Sequence, residues 1–250
     1  MSPKARPSVL IVIPAYNEEK NIGAVLDELL ELRRHHVKFD ILVVDDCSTD
    51  KTGQIASSKG ALVIRHKENL GEEAGIQTGL KYALENRYDT VVKIDGDGQH
   101  DPWDILKVLR ALRQGFDVVI GARQESYEEP LLFKLGRRFC SLLVSVLTGM
   151  KVRDATSGFY GFSRRSVSLF KQIYDQTSML KNDLTNNVER LILAKRCGLS
   201  IAEVIISMRP RETASKCYVS YNLLLFPVVL VKSLIRYLAL SRHLKNLIKY

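Results

Sequence analysis

The stretch KIDGDGQHDP, residues 93–102, puts three aspartates, Asp95, Asp97 and Asp101, at the end of a hydrophobic run. The chain around it is basic, with 37 Lys and Arg against 28 Asp and Glu, so this local negative charge is placed rather than scattered. Asp95, Asp97 and Gln99 are hard oxygen donors at alternate positions. They suit Mg²⁺ or Mn²⁺, a cation that takes one or two carboxylates and completes its shell with phosphate oxygens and water. A calcium loop of the EF-hand kind beginning at Asp95 needs Gly at its sixth position and Glu at its twelfth, which here are His100 and Leu106. That reading fails. Asp101, followed by Pro102, reads as the cap of a helix whose first residue is proline. Capping accounts for Asp101 and leaves Asp95 and Asp97 unexplained.

A diphosphate is often cradled by a glycine-rich turn after the first strand, in the pattern G-x-G-x-x-G or G-x-x-x-x-G-K-[ST]. Neither is present, and the first connection reads PAYNEE (14–19). Counter-charge for a diphosphate is therefore expected from a cation held by carboxylates. D-x-D-G also matches the nucleophile motif of haloacid-dehalogenase-type phosphatases. That motif belongs on a first strand with Thr or Val after it, whereas this one follows the fourth strand and precedes Gln99.

The elements that must position these groups are legible from periodicity. Short β-branched runs at 8–14, 41–46, 61–66, 90–95 and 116–121 alternate with stretches of helical period such as 22–34 and 104–114. This pattern predicts an α/β domain with a mainly parallel central sheet flanked by helices, in which ligands gather at the carboxyl ends of the strands. Three of those ends read PAYNEE, DDCSTD and DGDGQHD. Further on, 131–149 and 182–198 read as helices, 154–162 as a loop entering a strand, and 200–210 as a strand. A chain of 250 residues, 46% hydrophobic, buries one core, which makes 1–210 one catalytic domain.

Cys47, Cys140, Cys197 and Cys217 form no C-x-x-C pair, which fits a reducing cytoplasm better than a zinc site or a disulfide framework. The apolar run at the N-terminus leads into Asn17, Glu18 and Glu19 without a small-residue cleavage site, and so reads as a strand rather than a leader. Residues 211–250 differ in texture: beyond Glu212 there is no acid, while Lys216, Lys232, Arg236, Arg242, Lys245 and Lys249 surround an apolar segment. The longest apolar run there, 223–231, is nine residues and contains Pro227, short of the ~20 that span a bilayer. A basic, apolar helical tail lying on a membrane surface is the expectation, against a core or subunit-interface helix. Nucleic acid is not an expected partner.

Seven motifs occur in order: I-P-A-Y-N-E (13–18), V-D-D-C-S-T-D (44–50), N-L-G-x-x-x-G (69–75), D-G-D-G-Q-H-D-P (95–102), G-A-R (121–123), D-A-T-S-G-F (154–159), and R-x-R followed by S-K (209–216). Together they resemble the family 2 glycosyltransferases of the GT-A fold, in the branch of dolichol- or polyprenol-phosphate mannosyltransferases. The resemblance implies that Pro14, Ala15, Tyr16 and Glu18 rim a nucleotide pocket, and that Asp45 or Asp46 hydrogen-bonds the base or ribose. Asp97 and Gln99 are implied to bind Mg²⁺ or Mn²⁺, with Asp95 at the ribose or in the metal shell. His100 orients the loop or is a structural imidazole. The reaction implied is inverting transfer of a hexose, mannose above all, from a nucleotide diphosphate sugar: GDP-mannose, or a UDP-hexose.

Asp154 is implied as the acid near the acceptor, its other reading being a turn or cap before Thr156 and Ser157. Arg123, Arg137 or Arg138, Arg209 or Arg211, and Lys216 occupy places implied to meet an acceptor phosphate, for which guanidinium is suited. A polyprenyl phosphate acceptor at the cytoplasmic face of a membrane follows. Two departures bear on it: Glu212-Thr213-Ala214 precede the S-K pair where relatives carry a glycine and an acid, and the transmembrane helices of many relatives are missing. A bacterial surface-polysaccharide transferase acting on a lipid-linked glycan, a D-x-D-G phosphohydrolase and a non-catalytic nucleotide-sugar-binding protein are the alternatives.

Overall fold

The computed structural model describes residues 8–35, 37–124, 131–176 and 186–210. The tail at 211–250, with Arg211 and Lys216, lies outside them, as does the start of the helix expected at 182–198. The first half runs β1 (Val9–Ala15), α1 (Ile22–His35), β2 (Asp40–Asp45), α2 (Thr52–Ser58), β3 (Leu62–Arg65), α3 (Glu72–Glu85) and β4 (Thr90–Lys93). The second half runs α4 (Ile105–Arg113), β5 (Val118–Arg123), α5 (Leu131–Thr148), β6 (Tyr160–Ser163), α6 (Arg164–Gln176), α7 (Asn186–Arg196) and β7 (Ile201–Ile206).

Seven strands form one sheet in the order β3-β2-β1-β4-β6-β5-β7. β1, VLIVIPA, is buried along its whole length, as an apolar run at the centre of a sheet covered on both faces must be. Its alternate residues feed two cores. Leu10 and Val12 join Ile76 and Leu80 of α3, Val144 of α5, Phe170 of α6 and Leu191 of α7. Ile11 and Ile13 join Val25, Leu26 and Leu29 of α1 with Ile105, Val108 and Leu109 of α4. In α1 the buried positions Ile22, Val25, Leu26, Leu29 and Leu32 fall on one face at helical spacing.

The pairings β1 with β2, β1 with β4, β2 with β3, and β5 with β7 are parallel, as expected; β6 runs antiparallel to both β4 and β5. The reversal has a geometric result. The start of β6 lies at the edge of the sheet where β4 and β5 end, so the loop at 154–159 meets those after β4 and β5. β5 itself runs two residues further than the expected 116–121. Gly121, which reads in the sequence as the strand's end, is a point of close approach inside it: a Cβ there would sit 2.8 Å from the Ile206 side chain and 2.9 Å from Phe159.

Candidate active site at the carboxyl edge of the sheet

The connections after β1 and β2 are sewn together. Asn17, in the left-handed region at φ 54°, donates its N–H to Ser48 Oγ at 3.0 Å and accepts from the Thr49 N–H at 2.8 Å. The Glu18 N–H reaches Thr52 Oγ1 at 2.8 Å. Pro14 and Ala15 are buried beneath, Glu18 is half-buried and accepts from the Asn21 amide at 2.7 Å, and Tyr16 projects from the rim, 46% exposed.

Asp45 and Asp46 are both turned inward. Asp45, fully buried, accepts from the Ser48 N–H at 2.9 Å and from Arg65 Nη1 at 2.9 Å. Asp46 accepts from the backbone N–H groups of Leu70 at 2.9 Å and Gly71 at 2.7 Å, and pairs with His66 Nδ1 at 2.7 Å. Their geometry gives the N-L-G motif its reason: two adjacent acids at a strand end fold the 45–50 loop and draw residues 70 and 71 onto it.

After β4 the chain enters the D-G-D-G-Q-H segment. Gly98 takes a positive φ of 79°, which closes a turn where the Gln99 N–H donates to Asp97 Oδ1 at 3.0 Å. Asp97 and Gln99 stay partly exposed. Asp95 is held from below. Lys93, 1% exposed, contacts Asp95 Oδ1 and lies 2.5 Å from Glu72 Oε1 on α3. Burial works against the Lys93 ammonium, but the charges of Asp95 and Glu72 overcome it and hold its pKa above the usual lysine range.

His100 is buried edge-on to Phe159, ring centres 5.1 Å apart, and its Nδ1 accepts the Asp95 N–H at 3.2 Å. Burial lowers its pKa despite the nearby Asp95 charge, so His100 serves as a neutral imidazole that shapes the loop. Asp101 caps the turn Pro102–Asp104, accepting from the Trp103 N–H at 3.0 Å, as expected.

The facing wall comes from β5 and the loop before β6. Arg123 Nε and Nη2 grip Asp154 Oδ2 and Oδ1 at 2.6 and 2.8 Å, and Nη2 also reaches Thr156 Oγ1 at 2.6 Å. Asp154 is fully buried; burial disfavours its charge, yet the hydrogen bonds and charge of Arg123, with a further contribution from Arg137, keep its pKa below the usual carboxylate range. Asp154 accepts from the Thr156 N–H at 3.2 Å, as its reading as a turn former expects, and it orients the Arg123 guanidinium. This wall closes directly on the acidic loop. A Cβ at Gly158 would lie 2.8 Å from Asp95 Oδ2 and 3.1 Å from Lys93 Nζ, so a side chain there would have to displace the Asp95–Lys93 pair.

Of the candidate arginines, Arg137 is close enough to influence Asp154, whereas Arg138 is exposed on α5. The Arg209 guanidinium lies against Glu28, at 2.7 and 2.9 Å, and 3.4 Å from Asp101, while its N–H donates to the Gln99 carbonyl at 2.8 Å. Arg209 thus ties the segment after β7 to the acidic loop.

Sequence reasoning missed Lys93 and Glu72, and also a second pair in which Arg190, fully buried, is held by Glu73 and lies 5.1 Å from the centre of the Tyr160 ring. The available signal was a lysine inside the buried run TVVKID with an acid two places on, and two successive glutamates in the N-L-G segment.

No three His, Cys, Asp or Glu side chains among the described residues gather as a closed metal cage. The donors present, Asp97 and Gln99 with Asp95 beside them, are instead an open oxygen set, which fits a cation that draws most of its ligands from phosphate and water.

The glycosyl transferase family 2 profile matches residues 10–178. The chain belongs to this family. It is similar to the UDP-N-acetylglucosamine–dolichyl-phosphate N-acetylglucosaminyltransferase of Methanococcus voltae, 33% identical over 79% of this chain and 84% of that protein. It is also similar to the undecaprenyl-phosphate mannosyltransferase of Micrococcus luteus, 29% identical over 82% and 84%. Among solved structures it is similar to glucosyl-3-phosphoglycerate synthase from Mycobacterium tuberculosis, solved with Mn²⁺, UDP and glucosyl-3-phosphoglycerate. The TM-score is 0.62 at 25% identity, covering 83% of this chain and 74% of the other. The family 2 resemblance read from seven motifs holds, and with it the α/β GT-A fold and glycosyltransferase activity.

Proposed function

We propose that this glycosyltransferase moves a hexose, mannose from GDP-mannose in the first instance, onto a polyprenyl phosphate at the cytoplasmic face of a membrane. The observation that carries the reading is the neighbourhood of the Arg123–Asp154 wall. Beside it, α5 exposes Leu131, Leu135, Phe139, Leu142 and Val146 along one face. A groove of about 680 Å³ between α5 and the following turn is lined by Arg138, Leu142, Val146, Lys151 and Arg153. No Asp or Glu occurs from residue 131 to 153. An acceptor with an anionic head and an apolar chain matches both halves, and the two curated relatives act, by name, on dolichyl and undecaprenyl phosphates. Among the described residues no helix is long and apolar enough to cross a membrane. Contact through a surface stripe is the arrangement proposed.

In this reading Tyr16 and the 45–50 loop receive the nucleoside. Asp97 and Gln99 would hold Mg²⁺ or Mn²⁺, with Asp95 at the ribose or in the outer shell of the ion, which when bound supplies positive charge against the departing diphosphate. Arg123 and Arg137 hold the acceptor phosphate, and Asp154 fixes Arg123 in place. A phosphate oxygen, already anionic, forms its bond to the anomeric carbon as the bond from that carbon to the diphosphate breaks on the opposite face. The configuration inverts, and no general base is required. A UDP-hexose is the second donor reading, favoured by the 33% identical relative.

The deciding assay gives purified protein GDP-mannose or UDP-hexoses with polyprenyl phosphate in vesicles, and follows nucleoside diphosphate and glycolipid together. Equal release of both, dependent on lipid phosphate, is expected. Inorganic phosphate released from a phosphoester without donor would favour the phosphohydrolase, binding without turnover the non-catalytic reading, and use of a lipid-linked glycan alone the surface-polysaccharide transferase. Phe139→Glu with Leu142→Glu is expected to lower the rate on vesicle-borne acceptor roughly tenfold, since each charge opposes burial of an apolar contact. The rate on a short, water-soluble prenyl phosphate should stay within about twofold; equal losses on both acceptors would remove the stripe from the proposal.

A further inference from the structure

Lys93 is an unexpected neighbour for a cation site. It ends β4 two residues before Asp95, is 1% exposed, and reaches both Asp95 Oδ1 and Glu72 Oε1. A buried ammonium without a counter-charge costs several kcal/mol, and Glu72, 60% exposed, is the more solvated of its two partners. Asp95 is therefore the carboxylate that Lys93 most needs. The other oxygen of Asp95 is confined too: Oδ2 lies 3.3 Å from His100 Nδ1 and packs at the position that a Gly158 side chain would fill. Asp97, by contrast, stands two residues further out, partly exposed, with one oxygen on the Gln99 N–H.

We propose that Lys93 neutralises Asp95 from inside the fold and withholds it from the divalent ion, leaving Asp97 as the direct carboxylate ligand. Metal alone then binds poorly, and the loop takes up metal together with the nucleoside diphosphate, whose oxygens make up the missing charge. Lys93 is a positioning residue: it touches neither donor nor acceptor and acts through Asp95. The inference rests on the assignment of residues 95–99 as the metal loop, and the variants below separate the two.

The test is Mn²⁺ binding followed by the EPR signal of the unbound ion, without any turnover, for folded protein checked by circular dichroism. Wild-type protein should bind Mn²⁺ at least about tenfold more weakly alone than with UDP or GDP. Lys93→Met, which removes a like charge at contact distance from Asp95, should bind Mn²⁺ alone roughly tenfold more tightly than wild type, while Lys93→Arg should stay near wild type. Removing the pair together, as Lys93→Met with Asp95→Asn, should leave the affinity for Mn²⁺ alone within about threefold of wild type, because the two charges cancel at the site, whereas Asp95→Asn alone would strand the buried ammonium. The double variant carries the test if Lys93→Met does not fold. A Lys93→Met protein that binds no more tightly, or a loss in the double variant as large as that of Asp97→Ala, overturns the role of Lys93. An Asp97→Ala protein that binds Mn²⁺ as wild type does overturns the metal-loop assignment itself, and the inference with it.

Discussion

Asp97→Ala is expected to lower sugar transfer by roughly 10²–10³-fold, the range for losing one preorganised electrostatic contact to a developing negative charge. The expectation is specific to function because the side chain contributes little to the fold. It is partly exposed, and its contact within the loop is the turn bond from the Gln99 N–H. Losing that bond costs about 1 kcal/mol, a small fraction of the stability of a domain this size. Initial rates measured across a Mn²⁺ series, beside a thermal melt, separate the two effects. The melt should move by a few degrees at most while the rate collapses at every metal concentration. Activity within threefold of wild type would show that the charge on the diphosphate is met elsewhere.

The second large effect is on stability and lies away from the chemistry. Glu73 and Arg190, 4% and 0% exposed, pair across α3 and α7, with Tyr174 Oη donating to Glu73 Oε1 at 2.9 Å and Arg190 Nη1 to Asn187 Oδ1 at 2.8 Å. Burial opposes the guanidinium, and the Glu73 carboxylate restores its charge, raising the pKa well above the usual arginine value. Arg190 Nε, also buried, has no hydrogen-bond partner among the described residues, so the network is already one bond short. Removing the carboxylate alone strands a buried cation, which typically costs about 3–5 kcal/mol. Glu73→Ala should therefore lower the melting temperature by roughly 10 °C, given about 2–4 °C per kcal/mol for a chain of this length. Glu73→Leu combined with Arg190→Met should recover much of that loss. Denaturant melts of the two proteins check it, and a single-variant loss under about 1 kcal/mol would mean that the charge is solvated after all.

The parts of the fold legible in the sequence were those that act locally. Short β-branched apolar runs gave β1 to β4 to within two residues at either end, helical periodicity gave α1 and α4, and the cap at Asp101 followed from the proline beside it. The motifs that fall within the described residues converge because each lies at or after the end of a parallel strand or, for D-A-T-S-G-F, precedes the antiparallel one. The direction of β6 was not legible, since a four-residue strand, YGFS, carries no mark of orientation. Gly121 closed the expected strand at 116–121, whereas it lies inside β5 against a neighbour 85 positions away, Ile206.

The buried ion pairs escaped for the same reason. Lys93 and Arg190 look like surface charges until partners 21 and 117 residues distant are brought beside them. Asp45 and Asp46 gave the opposite lesson. Acids at the end of β2 were read as nucleotide contacts, and in the structure their own oxygens hold the 45–50 loop and residues 70 and 71 together.

β4 lies between a strand that begins at residue 9 and one that ends at residue 163, bonded to both. On the ribosome, therefore, its outer flank stays bare for some seventy residues after Lys93 has been added. The acidic turn gains its second support only when Tyr160–Ser163 arrive. The strand that carries the acidic turn is thus paired on both flanks only once the chain has been made as far as residue 163.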